Sequence, residues 1–147
     1  MKRIMGSRGF TLSETLVAIS LSSIVAGVAL PATGKIMHNY RLANAVKQLR
    51  FEIGRSRMQA IGERKFVRLI VQGNGTYARF ESTDGVSYTQ DGGVMSLPEG
   101  IAVSVGATGA PFFDRQGLAT AGSVITLSNS AGQKKITMNV LGRTSIS

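Results

Sequence analysis

Apolar and polar positions change rhythm twice along this chain. Residues 10–30 are an almost unbroken run of apolar and small side chains interrupted by one acid, Glu14. Twenty-one residues at a rise of about 1.5 Å each make a helix of about 31 Å, roughly the thickness of a bilayer's hydrocarbon core. The run is long enough to span a membrane once. Beyond Pro31 the pattern becomes that of an amphipathic helix, with Leu42, Val46, Leu49 and Ile53 at spacings of four, three and four, and Ser56 and Ala60 continuing the same side. Proline in a helix removes a backbone donor and crowds the preceding turn, so a kink is expected at Pro31, eased by Gly27. Gly62 is the expected terminator, because glycine enters the left-handed conformation at little cost. Phe51 lies off the stripe, as a second packing edge or a subunit contact.

After Gly62 the period shortens to two. Val67, Leu69 and Val71 alternate along 65–72, then Asn74-Gly75 predicts a hairpin into 76–81, where Ala78 and Phe80 alternate with Tyr77 and Arg79. Asp84-Gly85 and Asp91-Gly92-Gly93 bracket a short irregular strand around Tyr88, and Pro98 to Gly100 lead into Ile101, Val103 and Val105. Residues 106–111 read as a loop and Phe112-Phe113 as a short strand. Strands over 123–128 and 134–141 follow, and these last three are expected to form a meander. The fold class is therefore α+β: a long N-terminal helix, its first half transmembrane, packed on a mainly antiparallel sheet.

Composition narrows the chemistry. A chain of 147 residues has room for one domain beside the apolar segment. Its charged fraction of 17% is low, and 18 glycines fit a domain of short strands and many turns. Without cysteine the domain folds without disulfides, and thiol chemistry and cysteine metal sites are excluded. Net charge is +9; without residues 1–9, which carry Lys2, Arg3 and Arg8, fourteen basic side chains still oppose eight acidic ones. Such a surface gathers anionic partners without choosing among them. Arg41, Lys47, Arg50, Arg55 and Arg57 fall on the arc away from the apolar stripe, where Glu52 is the only acid between 35 and 62. This is either a solvated face or a contact with subunits or anions.

Convergent titratable groups are missing from the pattern. There is one histidine, His38, placed as a polar surface or interfacial residue, and the carboxylates are scattered singly. Asp84, Asp91 and Asp114 sit in glycine-rich turns, where aspartate normally bonds its own backbone. No nucleophile elbow, phosphate loop, zinc-protease motif or calcium loop is present. The expectation is a protein without catalytic residues, cofactor or metal.

Glu14 is the residue that needs explaining, since a carboxylate costs about 2.5 to 3.5 kcal/mol near the centre of a bilayer. An ordinary secretory signal cut after Ala29, or a plain uncleaved anchor, would fit the apolar run but has no use for the acid. The junction Arg8-Gly9-Phe10-Thr11-Leu12-Ser13-Glu14 resembles the processing site of type IV pilins and type II secretion pseudopilins. More loosely, the C-terminal half, with Phe113-Asp114-Arg115-Gln116-Gly117, two strands and Gly142-Arg143, resembles the GspH/FimT group of minor pilins.

The resemblance implies a leader over 1–9, a transmembrane or filament-core helix over 10–31, its amphipathic continuation over 32–62, and a periplasmic β-rich domain over 63–147. It implies a prepilin peptidase and N-methyltransferase that cuts between Gly9 and Phe10 and methylates the new amine. Glu14 then pairs within the membrane with that amine on an adjacent subunit. The partners implied are other pilins or pseudopilins in a filament or tip complex, in an inner membrane crossed once with the N-terminus cytoplasmic. Some pilins of the group bind DNA for uptake in natural transformation through a Gly-Arg-x-Arg motif. Here Gly142-Arg143-Thr144-Ser145 keeps only the first arginine, and Lys134 and Lys135 are further candidates for the same contact.

Overall fold

The computed structural model describes residues 10–147, and for 28–33 the helical backbone only. The leader expected over 1–9, including Gly9, and the side chain of Pro31 lie outside the described residues. The chain divides into two compact units after Ile36, and each is described by itself.

The first α-helix, α1, runs Leu12–Glu63. Within Met37–Ser147 its inward face is the stripe that periodicity predicts: Leu42, Val46, Leu49, Ile53, Ser56 and Ala60 are all buried, joined by Ala45. The helix does not end through Gly62, which stays helical. Burial of Ala60 holds the last turn in place, and Arg64 takes the left-handed turn instead, with φ of 52°.

Eight strands follow: β1 Phe66–Val71, β2 Thr76–Ser82, β3 Thr89–Ser96, β4 Ala102–Val105, β5 Phe112–Phe113, β6 Ser123–Asn129, β7 Gly132–Met138 and β8 Thr144–Ile146. They form two antiparallel sheets, ordered β3-β2-β1-β5 and β4-β6-β7-β8. The Asn74-Gly75 hairpin forms between β1 and β2, with Gly75 at φ 81° and Val71 opposite Tyr77. Val67, Leu69 and Val71 share one core with Leu49 and Ile53 of the helix and with Ile125, Leu127 and Ile136 of the second sheet.

Two expectations are corrected. Asp91-Gly92-Gly93 is not a turn: β3 runs through it, and residues 92–94 lie against the single β2 residue Ala78 in a bulge, with Gly92 at φ 81°. The meander is β6-β7-β8 and not one begun by Phe112-Phe113. β5 crosses to the first sheet and pairs with β1, which buries Phe113 in the core, while β8, unmarked by any apolar alternation, closes the second sheet.

Candidate functional site

The N-terminal segment is organised by a reciprocal cap. Phe10 is 88% exposed and precedes the helix, and Thr11 stands at its N-cap. The Glu14 amide donates to Thr11 Oγ1 at 3.3 Å, while Glu14 Oε2 accepts from the Thr11 amide at 2.9 Å and from its hydroxyl at 3.0 Å. This is a capping box, which satisfies two of the amides a helix start leaves unpaired and sets the carboxylate at the positive end of the helix dipole. Its Thr-x-x-Glu spacing is legible in the sequence. An outside cation was therefore not the only partner for which Glu14 is suited.

Behind the cap, the hydroxyls of Thr15, Ser20, Ser22 and Ser23 each donate to the carbonyl four residues earlier, at 3.1, 2.8, 2.8 and 2.8 Å. The polar groups of the segment are thus consumed within it, which lowers the cost of apolar surroundings. Leu12, Leu16, Val17, Ile19, Leu21, Ile24 and Val25 are all exposed. A helix apolar on every side needs a covering environment. Among the described residues no helix is long and apolar enough to cross a membrane; the apolar run continues into 28–33, whose side chains lie outside them.

In Met37–Ser147 the acids are taken up by an internal network. Arg79 and Glu52 are 5% and 6% exposed; Arg79 reaches Glu52 Oε2 at 3.5 Å and donates from Nε to Asp91 Oδ2 at 2.9 Å. Gln59 donates to Asp91 at 2.9 Å and to Glu81 at 3.3 Å, and Lys65 bridges Glu81 and Glu63 at 2.9 and 3.0 Å. The Gln59 and Arg79 bonds hold the Asp91 carboxyl below its ordinary range. Asp91 therefore does not bond its own turn, as expected for it, because β3 carries it to face Arg79. Asp84 and Asp114 do serve their turns: Asp84 accepts from the Ser82 hydroxyl and the Val86 and Ser87 amides, Asp114 from the Gln116 and Leu118 amides. Those bonds lower Asp84 to about 2. His38 is exposed, and its carbonyl accepts from Asn129 Nδ2 at 2.7 Å. Among the described residues no group of three histidine, aspartate or glutamate side chains could hold a metal ion.

The outward face of the same helix carries the opposite charge. Lys47, Arg50 and Arg55 are exposed, Arg41 and Arg57 half-buried. Arg57 Nε donates to the Gly117 carbonyl at 2.9 Å and its side chain lies over Gly142, where an added Cβ would come within 2.8 Å of Arg57 Cδ and Nε. Gly142, at φ 72°, makes the β7–β8 turn, closed by its amide to the Asn139 carbonyl at 2.9 Å. The glycine of the Gly142-Arg143 pair is thus required by a turn and a close packing. Arg143 is exposed beside it. Lys134 and Lys135 lie at the other end of the β7–β8 ladder, where Lys135 bonds Ser147, four to five residues or about 15 Å along the strand, and the two point to opposite faces. The structure does not gather the three into one cluster. Phe51 is 67% exposed, so it is no packing edge of this unit.

Against known proteins, a family model of the prokaryotic N-terminal methylation motif matches residues 4–30. No curated protein matches the chain closely enough to count as a relative. Two solved structures of the minor pseudopilin EpsH, from the type 2 secretion system of Vibrio cholerae, are similar to it. Both have a TM-score of 0.60 and 10% identity, covering 73% and 75% of this chain and 96% and 94% of theirs. The type IV minor pilin FimU of Pseudomonas aeruginosa strain PAO1 is similar at a TM-score of 0.62 and 10% identity, over 76% of this chain and 92% of its own. The chain is pilin-like in both its N-terminal motif and its α+β fold.

Proposed function

We propose that this protein is a minor pilin or pseudopilin, a structural subunit of a type IV pilus or a type II secretion pseudopilus that acts by assembly and not by catalysis. The observation that carries the reading is the combination of a methylation motif over 4–30 with a pilin-like globular fold behind it. The precursor sits in the inner membrane as a single pass, with residues 1–9 cytoplasmic and the β-rich domain periplasmic. Lys2, Arg3 and Arg8 agree with that orientation.

In this reading a prepilin peptidase cuts after Gly9, whose missing side chain suits a tight pocket, and methylates the amine of Phe10. The exposed apolar side chains between Leu12 and Val25 pass from lipid to the helices of neighbouring subunits. The Thr11 cap supports the role of Glu14 by holding its carboxylate in one orientation, where the cationic Phe10 amine of a neighbour pairs with it and sets register. A bend at Pro31 lets the first half of the helix adjust to that packing. Intact-mass analysis of membrane-extracted protein tests the reading: a chain lacking nine residues and carrying one added methyl group is expected, and one beginning at Met1 or near Leu30 would remove it.

DNA binding during uptake is a second reading, favoured by exposed Arg143 next to Gly142 and the basic face of α1. Lys134 and Lys135 would then act as separate, weaker contacts.

A further inference from the structure

We propose that the outward face of α1 within Met37–Ser147 is a docking site for an acidic amphipathic helix of a different subunit, an inference that rests on the assembly reading above. An open groove of about 710 Å³ runs along this face. Its floor is Phe51, Gly54 and Met58, spaced i, i+3, i+7 and so aligned on one side of the helix. Phe51 and Met58 are 67% and 72% exposed, although they stand in line on a helix whose opposite face is fully packed. Lys47 stands at one end of the line, and Arg50, Arg55 and Arg57 flank it. No acid lines the groove.

Gly54 points to what lies above the floor. An added Cβ there would meet nothing in this chain, as is also true at Gly27, Gly34 and Gly62 of the same helix; what sets Gly54 apart is its place between exposed Phe51 and Met58. Glycine inside a helix is costly, and at the centre of an exposed apolar line its bare backbone leaves room for a close approach from outside the chain. An apolar line with a notch at its centre and charges at its flanks is the pattern by which one helix seats another.

The flanking charge selects the occupant. Arg55 has Asp91 and Glu63 nearby on its far side, but Lys47, Arg50 and Arg57 meet no acid in the groove, and they require acidic flanks on the incoming helix. A second copy of this chain cannot supply them, because its acids form no row along a helix face. Glu52 and Asp91 hold Arg79, Glu63 and Glu81 hold Lys65, Asp84 and Asp114 bond their own turns, and capped Glu14 stands as a single acid in the apolar run. Among the described residues only Glu99 has no such bond, and it lies outside any helix. Nucleic acid would match the cations but leave the Phe51 to Met58 line with no apolar counterpart.

The test uses the full chain in detergent micelles and two synthetic helical peptides of about three heptads. Both carry the same leucine stripe, flanked by glutamate in one and lysine in the other. Fluorescence anisotropy at about 0.15 M salt should show binding of the glutamate peptide only. Phe51→Ala with Met58→Ala should weaken it about tenfold or more, with the fold intact because both side chains are exposed. Gly54→Leu should raise the Tm yet weaken binding, two effects that a purely structural glycine would not divide. Lys47→Glu with Arg50→Glu, which leaves two acids facing Arg55 and Arg57, should abolish the preference for the glutamate peptide. The proposal is overturned if the glutamate peptide fails to bind, or binds without regard to Phe51 and Met58. Displacement of the peptide by a DNA duplex would make the groove a nucleic-acid site. Self-association abolished by Arg50→Glu would make a second copy the occupant. A chain cut and methylated at Phe10 that ignores the peptide loses this inference alone; one left uncut loses the assembly reading.

Discussion

Arg79 of β2 and Glu52 of α1 meet with their charged ends 3.5 Å apart, both almost wholly buried between helix and sheet. Arg79 is held from its other side by Asp91 at 2.9 Å, so one guanidinium ties the helix to two neighbouring strands. Such a tie fixes how the helix lies on the sheet, because sliding it by one turn would leave an unpaired charge in the core.

Removing Arg79 strands Glu52, so Arg79→Ala should cost about 3 to 5 kcal/mol, the range for breaking a buried pair. Glu52→Gln should cost less, since Asp91 still holds the arginine. Urea unfolding of the full chain in detergent measures both, and equal losses would show that Glu52, not Asp91, is the effective partner.

At the proposed processing junction, Gly9→Ala should still be cut, whereas Gly9→Leu or Gly9→Glu should accumulate uncut precursor. Mass analysis of the membrane fraction distinguishes them. Efficient cutting of the leucine variant would mean that the peptidase does not read this position.

The observed cap of Glu14 and its proposed pairing with a neighbour are separated by different substitutions. Glutamine keeps the reciprocal bond of a capping box but not the charge, and valine keeps neither. If the pairing with a neighbour's amine governs assembly, both variants should insert in the membrane and both be lost from sheared filaments or pseudopili. If the cap governs it, Glu14→Gln should be incorporated like the native chain. Thr11→Ala should cost about 1 kcal/mol of helix start and fray the segment as Glu14→Val does.

Asp84 sets part of the acid response. Its folded pKa of about 2 lies below the ordinary 3.8, so its contribution is present above about 4 and is lost as pH falls toward 2. Thermal unfolding from pH 5 to 2 should therefore steepen in the native chain and flatten in Asp84→Asn. An unchanged slope would assign the acid response to Asp91 and the Arg79 network.

DNA binding, if it occurs, should be independent of sequence and lose about 0.9 log units of affinity per contact for each tenfold rise in salt. Arg143→Ala should lower that slope by about one contact without loss of stability. Gly142→Ala should instead destabilise the β7–β8 turn, because φ is positive there and Arg57 occupies the space. Normal transformation in cells carrying Arg143→Ala, with no binding by the purified chain at about 0.15 M salt, would end the uptake reading.

Period and turn chemistry are local, and wherever they govern, residues near in sequence were enough. The stripe from Leu42 to Ala60, the alternation of Val67, Leu69 and Val71, and the Asn74-Gly75 hairpin needed only the 3.6 and 2.0 repeats and one positive φ. The capping box at Thr11 and Glu14 is equally local, set by a Thr-x-x-Glu spacing at the start of the helix. Pairing across distance is another matter. Nothing around Glu52 announces a partner at Arg79, nothing around Gly92-Gly93 tells a bulge from a turn, and Phe112-Phe113 pairs equally well on paper with either sheet. Those choices are made by competition for a shared core, in which the side chain that best fills or neutralises a site decides where its strand must lie. Folding alone brings such competitors together, so the outward groove at Phe51, Gly54 and Met58, left over when the core is complete, belongs to the tertiary structure.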